Sequence, residues 1–304
     1  MWINSTHSDR IKSTFPQSTT TTTTTSLPLN TPKSSEIVIE MDNRIPTYKL
    51  ATQSGNKPYA DGDRAQAKVL EEIHLYETCQ RDPSTIVVDV GAFLGDFGLY
   101  AAACGCTVYI FEIQPNMVTL IRSSINHNSF SSSRVHLYHN AVSDLPAGST
   151  VKFMPGDGST AASGGNVSVE TMRLDDIPWS SNFIYMLKID VEGFELNVLR
   201  SAKNLFAEKR IRHLIFEYTP WWTDRAPQQT LLPYVQNELK AKFLYALHRT
   251  ENIIYGPLRV NELKTFYRTH LDSHLQTDIY AIFDDNATKT SIKSKPYSQG
   301  RRVA

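Results

Sequence analysis

The chain has 304 residues, with 31 Lys plus Arg balanced by 31 Asp plus Glu, and 40% of its residues are apolar. Zero net charge argues against a dedicated nucleic-acid binder, which carries a basic excess, and against an anchor for anionic membranes. No apolar run approaches the roughly 18 residues that a membrane-spanning helix needs, and no secretory leader core is seen.

Residues 1–35 hold seven consecutive threonines, Thr19 to Thr25, set among Ser, Pro and Lys. So little apolar surface cannot offset chain entropy, and disorder is expected. A cytoplasmic protein is expected; an organellar transit peptide carrying Arg10, Lys12 and Lys33 is the alternative. Residues 36–64 read as a lead-in of mixed strand and turn signals. Ala65 to Cys79 predicts an amphipathic helix through Val69, Leu70, Ile73 and Tyr76, ended by Pro83.

The pattern then changes. Ile86 to Val90 is a β-branched run, as in a strand buried on both faces. A helix from Phe97 to Ala103 and a strand from Thr107 to Phe111 follow. Pro115 stands where a helix begins, with Met117, Leu120, Ile121 and Ile125 on one face. Val135 to His139 is a third strand. Val151 to Met154 and Val167 to Leu174 alternate like half-exposed strands of a hairpin. The Gly/Ser-rich loop 156–166 between them is either a lid or a flexible connection. Strands are expected at 184–191, 213–218, 243–248 and 278–283, and helices at 195–206, 231–242 and 260–271. Such alternation implies a mostly parallel sheet covered on both faces, one domain over 65–283. A basic tail with Lys289, Lys293, Lys295, Arg301 and Arg302 is expected to be disordered over 284–304. Cys79, Cys104 and Cys106 are odd in number and lack zinc spacing, so free buried thiols in a reducing compartment are expected.

The turn after the first buried strand carries the chemistry. Asp89 precedes Gly91 and Gly95, spaced G-x-x-x-G before a helix. Gly91 permits a sharp turn and close approach to a ligand, and Gly95 permits helix packing on the strand. The G-x-G-x-x-G of dinucleotide binders is missing, which disfavours an NAD-dependent oxidoreductase, and no Gly-Lys-Ser/Thr of a P-loop follows. A carboxylate aimed at the ligand suits the cationic S-adenosylmethionine better than a diphosphate. Glu112 ends the second strand 23 residues after Asp89, the separation at which nucleotide folds place a ribose-binding acid. Capping or solvated strand-end carboxylates are the plainer alternative for both.

These blocks resemble the FkbM family of S-adenosylmethionine-dependent methyltransferases. Ile86 to Gly98 is similar to its first motif, and Val108 to Glu112 with Pro115 and Asn116 to its second. Thr171 to Ile177, the block Leu187 to Glu195 with Val198 and Leu199, and Ile215 to Glu217 complete the likeness. Ile113 and Gln114 depart from it, because the family more often places Pro directly after the Glu. The resemblance implies a class I, Rossmann-like α/β fold with a seven-stranded sheet and an antiparallel last strand. It implies S-adenosylmethionine as cofactor and methyl transfer to an oxygen of a small molecule, sugar or lipid-linked acceptor. A non-catalytic module that keeps the fold is the alternative.

Methyl transfer to a hydroxyl needs alignment and a base. Asp190 and Glu192, at the end of a buried strand, are the catalytic candidates, as base or as holders of a divalent cation; stabilising the next helix dipole is the alternative role. Glu195 is expected to be structural. Glu217 is divided between substrate contact and a satisfied polar group. Asn140 and Ala141 are expected to border adenine. Tyr218, Trp221 and Trp222 either line an acceptor pocket or pack.

Overall fold

A computed structural model describes residues 36–53, 64–155, 165–288 and 291–298. The expectations for residues 1–35, for most of the 156–166 loop and for Lys289, Arg301 and Arg302 lie outside these residues. The chain opens with β1 (Glu36–Met41), β2 (Tyr48–Gln53), α1 (Arg64–Glu72), α2 (Leu75–Arg81), β3 (Ile86–Val90), α3 (Asp96–Ala103), β4 (Thr107–Phe111) and α4 (Pro115–His127). Next come β5 (Val135–Tyr138), β6 (Ala141–Val142), β7 (Thr150–Phe153), β8 (Val167–Met172), β9 (Ile184–Ile189), α5 (Glu195–Ser201) and α6 (Lys203–Ala207). The last are β10 (Ile211–Tyr218), α7 (Leu231–Pro233), β11 (Phe243–Leu247), β12 (Ile254–Tyr255), α8 (Leu263–Asp272) and β13 (Thr277–Ile282).

The main sheet runs in the order β12-β11-β13-β10-β9-β3-β4-β5. Pairs from β10 through β5 are parallel, and β13 is antiparallel to both β10 and β11. The expected seven strands are present, and the short β12 adds an eighth. Strand order reverses between β3 and β9, the crevice where ligands bind in open α/β sheets.

Period-2 alternation sorts β3 between two cores. Ile86, Val88 and Val90 pack with Leu196, Leu199, Leu214 and Phe216, while Val87 packs on the other face with Phe97, Ala101 and Ile110. Both faces are therefore apolar, which explains the unbroken β-branched runs. β7 and β8 form the expected antiparallel hairpin, with β6 added in parallel to β8.

Several boundaries differ from expectation. The helix over 65–79 is broken at His74, whose φ of 55° is left-handed. The helix over 195–206 breaks at Ala202. The helix over 231–242 continues α7 as a π turn, Tyr234–Glu238, and stops before Lys240, with φ 66°. Hydrophobic spacing fixes a buried face but not the backbone interruptions along it.

The lead-in is an integral layer. Met41, Tyr48, Leu50 and Ala51 of the β1–β2 hairpin are buried against Leu94, Leu99, Met117 and Leu120. For the described part of the tail, 284–288 and 291–298, the expectation of disorder is also corrected. Ile292 and Tyr297 are buried, Tyr297 meets Phe266 at a ring separation of 5.4 Å, and Tyr255 bridges Lys295. Two apolar anchors amid the lysines offset the ordering entropy that composition alone set against the tail.

The cysteine expectation is corrected as well. Cys79 of α2 and Cys106, just before β4, form a disulfide with Cα atoms 4.8 Å apart, and Cys104 is free and buried. Packing of α2 against the turn after α3 joins two residues that sequence spacing kept separate. Among the described residues, no helix is long and apolar enough to cross a membrane.

Candidate active site

The loops after β3, β4 and β9, together with β6, surround a cleft of about 360 Å³. That lies within the roughly 300–1,000 Å³ typical of small-ligand sites.

Asp89 does not face this cleft. Alternation turns its side chain with Val87 toward α3, where it is fully buried. Its Oδ2 accepts the Gly98 N–H at 2.9 Å, and Lys188 Nζ lies 3.5 Å from Oδ1. Burial raises its pKa, and the Lys188 charge opposes that shift. The expectation of a carboxylate aimed at the ligand is therefore corrected: Asp89 ties strand to helix beneath the site.

The two glycines act differently from each other. Gly91 lines the cleft with φ 75°, and a Cβ there would sit 1.8 Å from the Asp190 carbonyl oxygen. The close neighbour that requires glycine is thus the β9 turn of the protein itself. Gly95, with φ 81°, lies beneath the cleft, where a Cβ would meet Ile121 of α4 at 3.0 Å. It is a packing position, not part of the cleft wall.

Glu112 is buried and lines the cleft. Its Oε2 accepts the Phe93 N–H at 2.7 Å and its Oε1 the Gln114 N–H at 2.8 Å. One carboxylate thereby joins the turns after β3 and β4. Burial pushes its pKa up to about 7, against those hydrogen bonds. Beside it, Gln114 is buried, lines the cleft, and has an Oε1 without a hydrogen-bond partner. Asn140 and Ala141 also line the cleft, and Asn140 Nδ2 donates to the Glu170 carbonyl at 3.2 Å.

Asp190 and Glu192, from the turn after β9, also line the cleft. The Asp190 N–H donates to the Val90 carbonyl at 2.9 Å, which holds the two turns in contact. Asp190 Oδ2 is 3.6 Å from Lys188 Nζ. Glu192 has a left-handed φ of 55°. Its carbonyl accepts from Arg225, whose Nη1 is 4.0 Å from Glu192 Oε2. Burial, reinforced by the Asp190 charge, pushes the Glu192 carboxyl up to about 8. A proton acceptor in that range is matched to work near neutral pH. Glu195 is completely buried, and its Oε1 accepts the N–H groups of Val191 at 3.2 Å and Gly193 at 3.0 Å. It secures this turn.

Lys188, Arg249, Gln276 and Asp278 also line the cleft but had no assigned role in the sequence reading. Lys188 sits inside the quoted block, so its position was visible. Gln276 and Asp278 come from the start of β13 and the residue before it, and Arg249 from the loop between β11 and β12, where nothing local distinguished them. Trp221, Trp222 and Tyr218 pack instead. Tyr218 lies against Phe266 at 5.7 Å and Trp221 against Trp222 at 5.0 Å. Among the described residues no group of three acidic, His or Cys side chains converges as a metal site.

Residues 89–241 match the family described as the methyltransferase FkbM domain. No curated protein matches the chain. Among solved structures, the Thermus thermophilus 16S rRNA N2 G1207 methyltransferase RsmC, in complex with AdoMet and guanosine, is 10% identical with a TM-score of 0.45, covering 81% of this chain and 50% of that one. The N-terminal domain of human METTL16 is 9% identical with a TM-score of 0.41, covering 73% and 70%. A Streptococcus mutans putative methyltransferase in complex with SAH, SMU.1697c, is 11% identical with a TM-score of 0.40, covering 68% and 94%.

Proposed function

The chain belongs to the FkbM methyltransferase family, and from that premise we propose that it methylates a hydroxyl oxygen of a small molecule, a sugar or a lipid-linked acceptor. It is a S-adenosylmethionine-dependent enzyme, and its cleft fits that cofactor. The unpartnered, buried Gln114 Oε1 beside Glu112 offers acceptors for sugar hydroxyls. In this reading Glu112 and Gln114 hold the ribose, and Asn140 and Ala141 border the adenine. Gly91 and Ala92 leave space beside the β3 turn.

When bound, the cofactor supplies a methyl group on a sulfonium, whose departure needs no acid. The chain then has to orient the acceptor, exclude water and take up the hydroxyl proton. Glu192 takes that proton, and Asp190 next to it keeps its carboxyl basic. Arg225 steadies the Glu192 backbone. The observation that carries the reading is this carboxylate pair lining the same cleft as Glu112. The excess of carboxylates there also disfavours a phosphodiester acceptor, in line with the zero net charge of the sequence.

The test is a labelled-methyl screen of sugars, amino alcohols, lipid-linked glycans and short RNAs with the full chain. Label transfer to a small hydroxylated acceptor, reduced at least about 100-fold in Glu192→Gln, is the expected result. Transfer only to RNA, or equal turnover by the variant, overturns the reading.

A further inference from the structure

Charged side chains stand on one face of four neighbouring strands as two pairs offset along the strands, since Lys188 itself is opposite Ile215 of β10. Asp89 of β3 is in register with Lys188 of β9, and Glu217 of β10 is in register with Asp278 of β13. In the first pair the charges are opposite. In the second they are alike, and like charges directly opposite in an antiparallel pair are destabilising.

The surroundings of the second pair cancel this charge only in part, because one guanidinium, that of Arg249, acts on both carboxylates. Glu217 Oε1 accepts from Gln276 Nε2 and lies 4.0 Å from Arg249 Nη1. Its Oε2 is buried and has no hydrogen-bond partner, although the side chain is only 4% exposed. Asp278 Oδ2 accepts the Gln66 amide at 2.7 Å. Gln276 and Gln66 donate hydrogen bonds but bring no positive charge. Burial raises the pKa of both carboxyls, and the charges of Asp190, Glu195 and Glu192 push Glu217 further. Glu217 and Asp278 both line the cleft, on the side away from Glu112. Among the described residues, six carboxylates, Asp96, Glu112, Asp190, Glu192, Glu217 and Asp278, line it against two cations, Lys188 and Arg249.

We propose that Glu217 and Asp278 form a seat for an ammonium group of the methyl acceptor, making the substrate a hydroxylated amine such as an amino sugar or amino alcohol. This rests on the methyltransferase reading of the same cleft. An ammonium has three donors in a compact head and fits between two facing carboxylates. It supplies Glu217 Oε2 with its missing partner and relieves the like-charge pair. The acceptor hydroxyl then lies toward Asp190 and Glu192, whose turn adjoins the end of β10. The seat also explains why a costly buried pair stands at the ligand-binding end of the sheet and not in its interior.

The full chain is saturated with S-adenosylhomocysteine, so that the acceptor side alone remains to be filled. Thermal unfolding is then followed with glucosamine, ethanolamine and 1-amino-2-propanol, each beside its neutral counterpart glucose, ethylene glycol or 1,2-propanediol. The amines are expected to raise Tm in a saturable way and the neutral compounds to leave it unchanged. Glu217→Gln and Asp278→Asn, which keep shape and remove charge, should each weaken amine binding about 10-fold or more while keeping the S-adenosylhomocysteine response. Equal effects of amines and neutral compounds, no effect of any amine, or unchanged amine binding in both variants overturns the seat. A preserved S-adenosylhomocysteine response in those cases leaves the methyltransferase reading intact; its loss in the unmodified chain overturns that reading and the seat together.

Discussion

Lys188 Nζ stands 3.5 Å from Oδ1 of the fully buried Asp89 and is the ion-pair partner of that carboxylate. The same ammonium reaches Asp190 at 3.6 Å, so one cation joins the floor of the site to its wall. Lys188→Met leaves Asp89 buried without its cation, which typically costs about 3–5 kcal/mol. The expected outcome is a loss of that order in chemical denaturation, partly recovered in Asp89→Asn/Lys188→Met. A single variant as stable as the parent would show that the pair holds nothing.

Gln114 and Glu112 form one acceptor group in the cofactor half of the cleft. Gln114→Leu keeps size and removes the unpartnered carbonyl oxygen, so it should weaken S-adenosylhomocysteine binding about 5- to 10-fold, one hydrogen bond's worth. Glu112→Gln should cost more, because that carboxylate also accepts two backbone N–H groups. Calorimetry with S-adenosylhomocysteine and its 2′-deoxy and 3′-deoxy analogues checks this. If the Gln114→Leu penalty is as large with both analogues as with the parent ligand, the ribose assignment is wrong.

The buried carboxyls set the direction of the pH dependence. Burial raises Glu112 and Glu195 to about 7 and Glu192 to about 8, all from 4.5. In that window the folded chain holds protons that the unfolded chain has released, so stability falls as pH rises. His213, lowered from 6.5 to about 4 by burial, works in the opposite sense only below pH 6.5. Tm of the ligand-free chain is therefore expected to fall from pH 6.5 to about 8.5, with a shallower fall in Glu192→Gln. Turnover should rise over the same range as Glu192 loses its proton. A Tm that climbs between these limits contradicts the burial argument.

The Cys79–Cys106 bond closes a loop with a sequence separation of 27, for which chain entropy predicts roughly 3–4 kcal/mol of stabilisation. Unreduced protein in denaturant should show one reactive thiol per chain, that of Cys104, and three after reduction. Reduction should lower Tm by several degrees. Three thiols before reduction would refute the pairing.

The strands and the glycine turn were legible because their signals are local. β3 and β4 lie at the expected residues, since continuous β-branched runs leave few alternatives to a doubly buried strand. Glu112, Asp190 and Glu192 were found at strand ends for the same reason. For Asp89 the sequence sets the position along the chain but not the direction of the side chain, which is buried against α3. A strand-end carboxylate faces either the ligand or the helix beneath, and only the register with Lys188 and the open N–H of Gly98 decide between them.

What the sequence by itself determined is therefore the alternation of strand and helix, the family and the chain positions of the cleft's acids. The tertiary structure decided which side chains share that cleft. It set Glu217 against Asp278, brought Gln276 and Arg249 beside them, joined Cys79 to Cys106 and buried the lead-in hairpin and Tyr297. Each of these depends on contacts between residues far apart in the chain. Periodicity describes one element at a time, while register, burial and charge pairing arise only where several elements meet.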